Sequence, residues 1–98
     1  ERSYLGVAYR VITRDLAVLN ELPEGAYVQQ VVADSPAEKV GIQKGDIITK
    51  IDGQQLNEKT QLSTIIAKKK IGDVLKLTIY RDDNSDDIDA TLEAAPEQ

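Results

Sequence analysis

The chain has 98 residues and a net charge of −5, and it contains no Cys, His, Trp, Phe or Met. That length holds one small domain with a modest core, and the acidic balance argues against a general nucleic-acid binder, which needs a face dominated by Lys and Arg. Without Cys there are no disulfides or thiolate metal sites, without His there is no Ser-His-Asp triad, and no window approaches the roughly 18 apolar residues of a membrane helix.

Residues 4–12, "YLGVAYRVI", read as a strand. Gly6 interrupts it, although glycine weakens a strand interior by about 0.5–1 kcal/mol relative to alanine. A strand glycine marks either a bulge or a close approach by another backbone or a ligand. The start, Glu1-Arg2-Ser3, lacks a signal-peptide pattern, and the abrupt entry into strand is what a domain cut from a longer protein would show. Thr13 is expected to cap a short helix over "TRDLAVLNEL", with Leu16 and Leu19 on one face and a stop before Pro23. Glu24-Gly25 is a turn signal, and Ala26–Val32 form a second strand.

In "DSPAEKVG", Ser35 is an N-cap, Pro36 takes the first helical position, Glu38 completes a capping box and Gly41 ends the turn-and-a-half of helix in a left-handed conformation. Lys44-Gly45-Asp46 turns the chain into the strand "DIITKID", and Asp52-Gly53 is a strong hairpin signal leading to "QQL". Asn57 is expected to cap the longest helix, over residues 58–69, with Leu62, Ile65 and Ile66 inward. Ile71-Gly72-Asp73 closes it. Two alternating strands follow, carrying Leu75, Leu77 and Ile79, then Ile88, Ala90 and Leu92, around a polar turn at Asp83–Ser85.

These elements predict an α+β, mainly β fold: a partly open β-sandwich of about five to six strands with one long and two short helices. Residues 1–95 are expected to form a single domain, and 96–98 a frayed tail, with fraying beginning in "EAAPEQ". A helix beside an unpaired strand edge leaves a groove, and such an edge can accept a further strand.

The stretch "SPAEKVGIQKGDIITKIDG" (35–53) resembles the central signature of bacterial PDZ domains, and "YLGV" resembles their carboxylate-binding loop. The likeness runs from Tyr4 to about Leu92. With the loop and its strand first, and the last strand filling the remaining place in the sheet, the order is similar to the circularly permuted PDZ domains that follow the protease domain in HtrA/Deg-type serine proteases. Val40 stands where a smaller Ala is common in that family, which implies a packing adjustment.

The resemblance implies that the N–H groups of Leu5, Gly6 and Val7 hold a peptide carboxylate, and that the ligand pairs as a strand with Val7, Ala8, Tyr9 and Arg10. Leu5, Val7 and Ile66 would line the pocket for its last side chain. Ser63 would face the residue two places earlier, and Lys59 would lie near the helix start. The implied partners are peptide or protein C-termini with an apolar last residue, and the protease domain of a parent chain in the cell envelope. No nucleic acid, membrane insertion, metal or cofactor is expected. Burying one apolar side chain contributes about 1.5–3 kcal/mol, and charge-assisted hydrogen bonds add comparable amounts. After the cost of association, the dissociation constant is on the order of micromolar. Gly6→Val is expected to abolish binding and leave the fold intact.

Other readings start from the same residues. The alternatives to an HtrA-like module are a non-enzymatic adaptor, or the PDZ module of a site-2-type or C-terminal processing protease, which share the groove chemistry. Leu62 and Ile65 read as core and Ile66 as pocket. Lys68-Lys69-Lys70 complement the helix C-terminal dipole. Asp82, Asn84, Asp86 and Glu93 fall at calcium-loop spacing, but Asp87 occupies the position that needs glycine, and the flanks alternate as strands. A Ser–Lys pair at Ser63 and Lys59 is already explained by the groove. The chain itself is not expected to be an enzyme.

Overall fold

The computed structural model describes residues 2–95. The expected strand over 4–12 is two strands, β1 (Ser3–Tyr4) and β2 (Val7–Ile12), because Gly6 takes φ +92° and turns the chain between them. β1 leaves the main sheet and pairs with a terminal strand. Helix α1 (Arg14–Asn20) starts at Thr13, whose Oγ1 accepts from Leu16 N–H at 3.3 Å, and ends at a left-handed Glu21. Its shared face is not buried. Ala17 alone docks, against Ile12, Ile47 and Tyr80, while Leu19 is 79% exposed and Leu16 37%. A helix of two turns resting on one small side chain leaves its larger apolar residues in solvent.

β3 (Gly25–Val31) leads to α2 (Pro36–Lys39). Ser35 caps α2 as expected, accepting from Glu38 N–H at 3.2 Å. The Glu38 carboxylate reaches back to Asp34 N–H at 3.0 Å instead of to Ser35, a box displaced by one residue. Gly41 follows with φ +87°. Val40, half-buried, packs against the main core. β4 (Ile47–Ile51) and β5 (Gln54–Gln55) meet at Asp52-Gly53, where both φ values are positive, as a two-residue hairpin with the strands' own twist requires.

The expected long helix is short: α3 spans Leu62–Ala67. Asn57 Oδ1 accepts from the N–H groups of Lys59 and Thr60, both at 2.9 Å, while Asn57 N–H donates to Thr60 C=O. The asparagine caps a separate turn, since its side chain competes with the helical backbone for the same donors. The hairpin of β6 (Val74–Arg81) and β7 (Asn84–Thr91) turns at Asp82-Asp83, both with positive φ, one residue earlier than expected. β8 (Glu93–Ala94) pairs with β1, Ser3 opposite Ala94 and Tyr4 opposite Glu93, so fraying does not begin at Glu93. The tail expected at 96–98 lies outside the described residues.

The main sheet runs β2-β3-β4-β6-β7, with β5 on β4, and every pairing is antiparallel. Val28, Ile48, Ile51, Leu56, Leu75, Leu77 and Leu92 fill the core, and α3 adds Leu62 and Ile65. This is the mainly β, partly open arrangement expected from the sequence, with all three described helices short. β2 is the sheet's terminal strand.

Candidate functional site

The free edge of β2 and the facing side of α3 bound a groove of about 360 Å³. Val7 and Tyr9 line it from β2, and Leu62, Ser63, Ile66 and Ala67 from α3. Two hydroxyls from the strand side fix the helix. Ser3 Oγ donates to Ile66 C=O at 2.7 Å and lies 3.1 Å from Lys69 C=O, holding the helix C-terminus. Tyr9 Oη accepts from Ser63 N–H at 3.0 Å and donates to Ser63 Oγ at 2.8 Å, holding the other end. The groove's width is therefore set by β1 and β2 themselves.

The chemistry at its closed end follows from two pinned carbonyls. Leu5 C=O accepts from Ala37 N–H at 2.9 Å, and Gly6 C=O from Val32 N–H at 2.8 Å, so both face the protein. In a trans peptide the N–H of the same plane points the opposite way. The N–H groups of Gly6 and Val7 therefore face outward. No carbonyl among the described residues takes the N–H of Leu5 or Gly6. Ladder alternation agrees: Val32 bonding to Gly6 makes Val7 and Val31 a non-hydrogen-bonded pair, which leaves Val7 N–H and C=O on the open edge. Arg2 also lines the groove, as does Lys69, whose ammonium pairs with Asp52 at 3.3 Å. Successive free N–H groups can accept an anion, and the apolar cleft next to them can take a side chain.

Gly6 has a reason the sequence did not reveal. A Cβ there would overlap Cβ and Oγ of Ser35, the cap of α2. The close approach is internal, between loop and helix cap, so Gly6→Val would damage the fold instead of sparing it.

Of the residues named from the sequence, Leu5, Gly6, Val7, Ser63 and Ile66 all line the groove. Leu5 is 2% exposed and serves the core as much as the cleft. Ala8 and Arg10 are exposed on β2, and Tyr9 lies between them facing α3. Lys59 is misplaced. It sits in the Asn57–Thr60 turn and lines a different hollow with Gln54, Thr64 and Lys68, because the helix begins three residues after it. Ser3, Tyr4 and Ala67 were missed. The Tyr9 bridge was missed as well, and its only signal is the period-2 spacing from Val7.

Comparison with known proteins agrees with this geometry. Residues 3–92 match the family model of the PDZ domain. A probable periplasmic serine endoprotease, DegP-like, of Marinomonas sp. (strain MWYL1) is 36% identical over 97% of this chain and 21% of its own length. Its counterpart in Pseudomonas putida (strain W619) is 37% identical over 98% and 20%. The chain thus spans about a fifth of these curated relatives. Among solved structures, the HtrA3 PDZ domain bound to a phage-derived ligand (FGRWV) matches with a TM-score of 0.79 and 30% identity, covering 94% of this chain and 86% of that one. The HtrA-type protease AlgW with a decapeptide gives 0.82 and 26%, covering 99% and 30%. An edge strand beside a helix, a turned loop with outward amides and a family match across nearly every described residue lead to one conclusion: the chain belongs to the PDZ domain family, and the relatives described above are DegP-like and HtrA-type proteins.

Proposed function

We propose that the groove captures the C-terminal segment of a peptide whose last side chain is apolar. The observation that carries this reading is the pair of outward N–H groups at Gly6 and Val7, placed where an apolar cleft meets the unpaired edge of β2. The ligand carboxylate would sit on those amides, with Leu5 N–H as a third donor. Its last side chain would enter between Val7 and Ile66, and its backbone would add an antiparallel strand along Val7, Ala8, Tyr9 and Arg10. Ser63 faces the ligand through its contact with Tyr9. One buried side chain and two or three charge-assisted hydrogen bonds, less the cost of association, correspond to a micromolar dissociation constant in order of magnitude.

The same reading assigns the domain a role in a longer protein. Solved relatives carry short peptides, and curated relatives are named periplasmic serine endoproteases. We read residues 1–95 as one peptide-recognition unit of an HtrA-like serine endoprotease of the cell envelope. It would present or sense substrate ends for a protease domain elsewhere in the chain.

Isothermal titration with a peptide ending in Val, and with its C-terminally amidated twin, tests the core of this. Micromolar binding of the free acid with at least tenfold weaker binding of the amide is expected. Equal affinity of the two removes the carboxylate from the mechanism.

A further inference from the structure

The spacing of β2 puts Tyr9 at the next groove-facing position after Val7. Its hydroxyl does a job that α3 cannot do for itself. Gln61, the residue before the first turn, makes no capping bond with its side chain, and the Ser63 N–H is taken by Tyr9 from across the groove. The same hydroxyl donates to Ser63 Oγ, and Gln61 Oε1 lies 3.4 Å away. The ring therefore spans the space between strand and helix. The lined cleft stops there: its strand wall ends at Tyr9 and its helix wall begins at Leu62 and Ser63, and neither Val11 nor Gln61 contributes.

A strand added along β2 alternates its side chains as β2 does. If its last side chain lies beside Val7, the side chain two places earlier faces the same way, one step further along. It arrives at Tyr9. We propose that Tyr9 is a specificity-determining residue, a bar across the groove whose ring fills the place of that side chain. The site then favours ligands with Gly, Ala or Ser two residues before an apolar C-terminus.

A bulky residue at that place must push the Tyr9 hydroxyl away from Ser63, breaking two hydrogen bonds and uncapping α3. Two bonds of ordinary net strength correspond to an affinity loss of roughly tenfold. This inference rests on the groove being a C-terminus site and adds the ligand class that the site admits.

Fluorescence polarisation on the 98-residue chain tests it, using dye-labelled peptides that end in Val and differ only two places earlier: Gly, Ala, Leu or Phe. The wild type should bind the Gly and Ala peptides about tenfold tighter than the Leu and Phe peptides. Tyr9→Ala should bind all four within about threefold, gaining most on Phe. Tyr9→Phe keeps the ring and loses the tether, so its preference should fall to an intermediate value; it decides the matter if Tyr9→Ala fails to fold. Equal wild-type affinity for the four peptides overturns the inference, and so does a preference that survives unchanged in the folded variants. In either case the groove reading stands. If no free-acid peptide binds the wild type, both fall together.

Discussion

Gly6→Ala replaces one hydrogen with a methyl group at the hinge of the groove loop, and its cost can be worked from the contacts. A side chain at φ +92° is strained by about 1–2 kcal/mol. The new Cβ also overlaps Cβ and Oγ of Ser35, which is 2% exposed and cannot swing aside freely. Displacing Ser35 removes the acceptor for Glu38 N–H and uncaps α2, worth about 1 kcal/mol. The sum is about 2–3 kcal/mol, a large part of the roughly 5–15 kcal/mol that holds a domain of this size together. At about 4–8 °C per kcal/mol, the melting temperature should fall by roughly 10–20 °C. Urea unfolding followed by circular dichroism would measure the change in two backgrounds. In Ser35→Gly the overlapping atoms are gone and the cap loss is only a few tenths of a kcal/mol, so the alanine should then cost only its backbone strain. A coupling energy of about 1 kcal/mol or more between the two sites is the expected result. Equal cost of Gly6→Ala in both backgrounds, or a cost below about 0.5 kcal/mol in the wild type, would refute the overlap as the reason for the glycine.

Arg81→Ala should destabilise the fold by about 3 kcal/mol in urea unfolding, because Asp46, 2% exposed, would keep only the N–H of Gln43 after losing both guanidinium contacts. Arg81→Lys should recover only part, since an ammonium cannot reproduce the paired bonds to Asp46 and the bond to Gly41 C=O. Asp52 accepts Lys76 N–H at 2.9 Å and pairs with Lys69 at 3.3 Å, which lowers its pKa below the ordinary value near 3.8. The folded state therefore binds this proton less readily than the unfolded chain. Its contribution is whole above about pH 4 and is lost as the pH falls through the folded value, so the stability gap between wild type and Asp52→Asn should be constant from pH 5 to 8 and shrink below pH 4. Leu19→Glu, on the exposed side of α1, should leave stability within about 0.5 kcal/mol of wild type by the same unfolding assay.

Where a local signal acts through the backbone, the sequence was legible. Ser35-Pro36 began a helix, Gly41 ended it, Asp52-Gly53 made a two-residue hairpin, and the alternation of Leu75, Leu77 and Ile79 marked a strand with one buried face. The reading failed where two segments compete or meet. Asn57 looks like a helix cap, and only the observed turn at Thr60 shows that it caps something shorter. Leu16 and Leu19 have helical spacing, yet a pattern does not say whether a partner covers the face. Most of the groove wall was readable only through the resemblance to PDZ domains, which implied Leu5, Val7, Ser63 and Ile66, and all four line the groove. Lys59 was misplaced for the same reason that the helix was drawn too long. The Tyr9–Ser63 and Ser3–Ile66 bridges join residues 54 and 63 positions apart, and no local pattern encodes such a distance.

The central claim is that the amides around Gly6 receive a foreign carboxylate at the edge of β2. Two-dimensional 15N–1H NMR of the labelled chain, titrated with a Val-ended peptide, reads those amides one by one. The largest downfield shifts should fall on Gly6 and Val7, with cross-strand contacts from the ligand to Val7 and Tyr9, and amidation of the peptide should abolish the shifts at Gly6. Saturable binding that leaves Gly6 and Val7 unmoved, with its shifts on α1 or on the far side of the sheet instead, would contradict it.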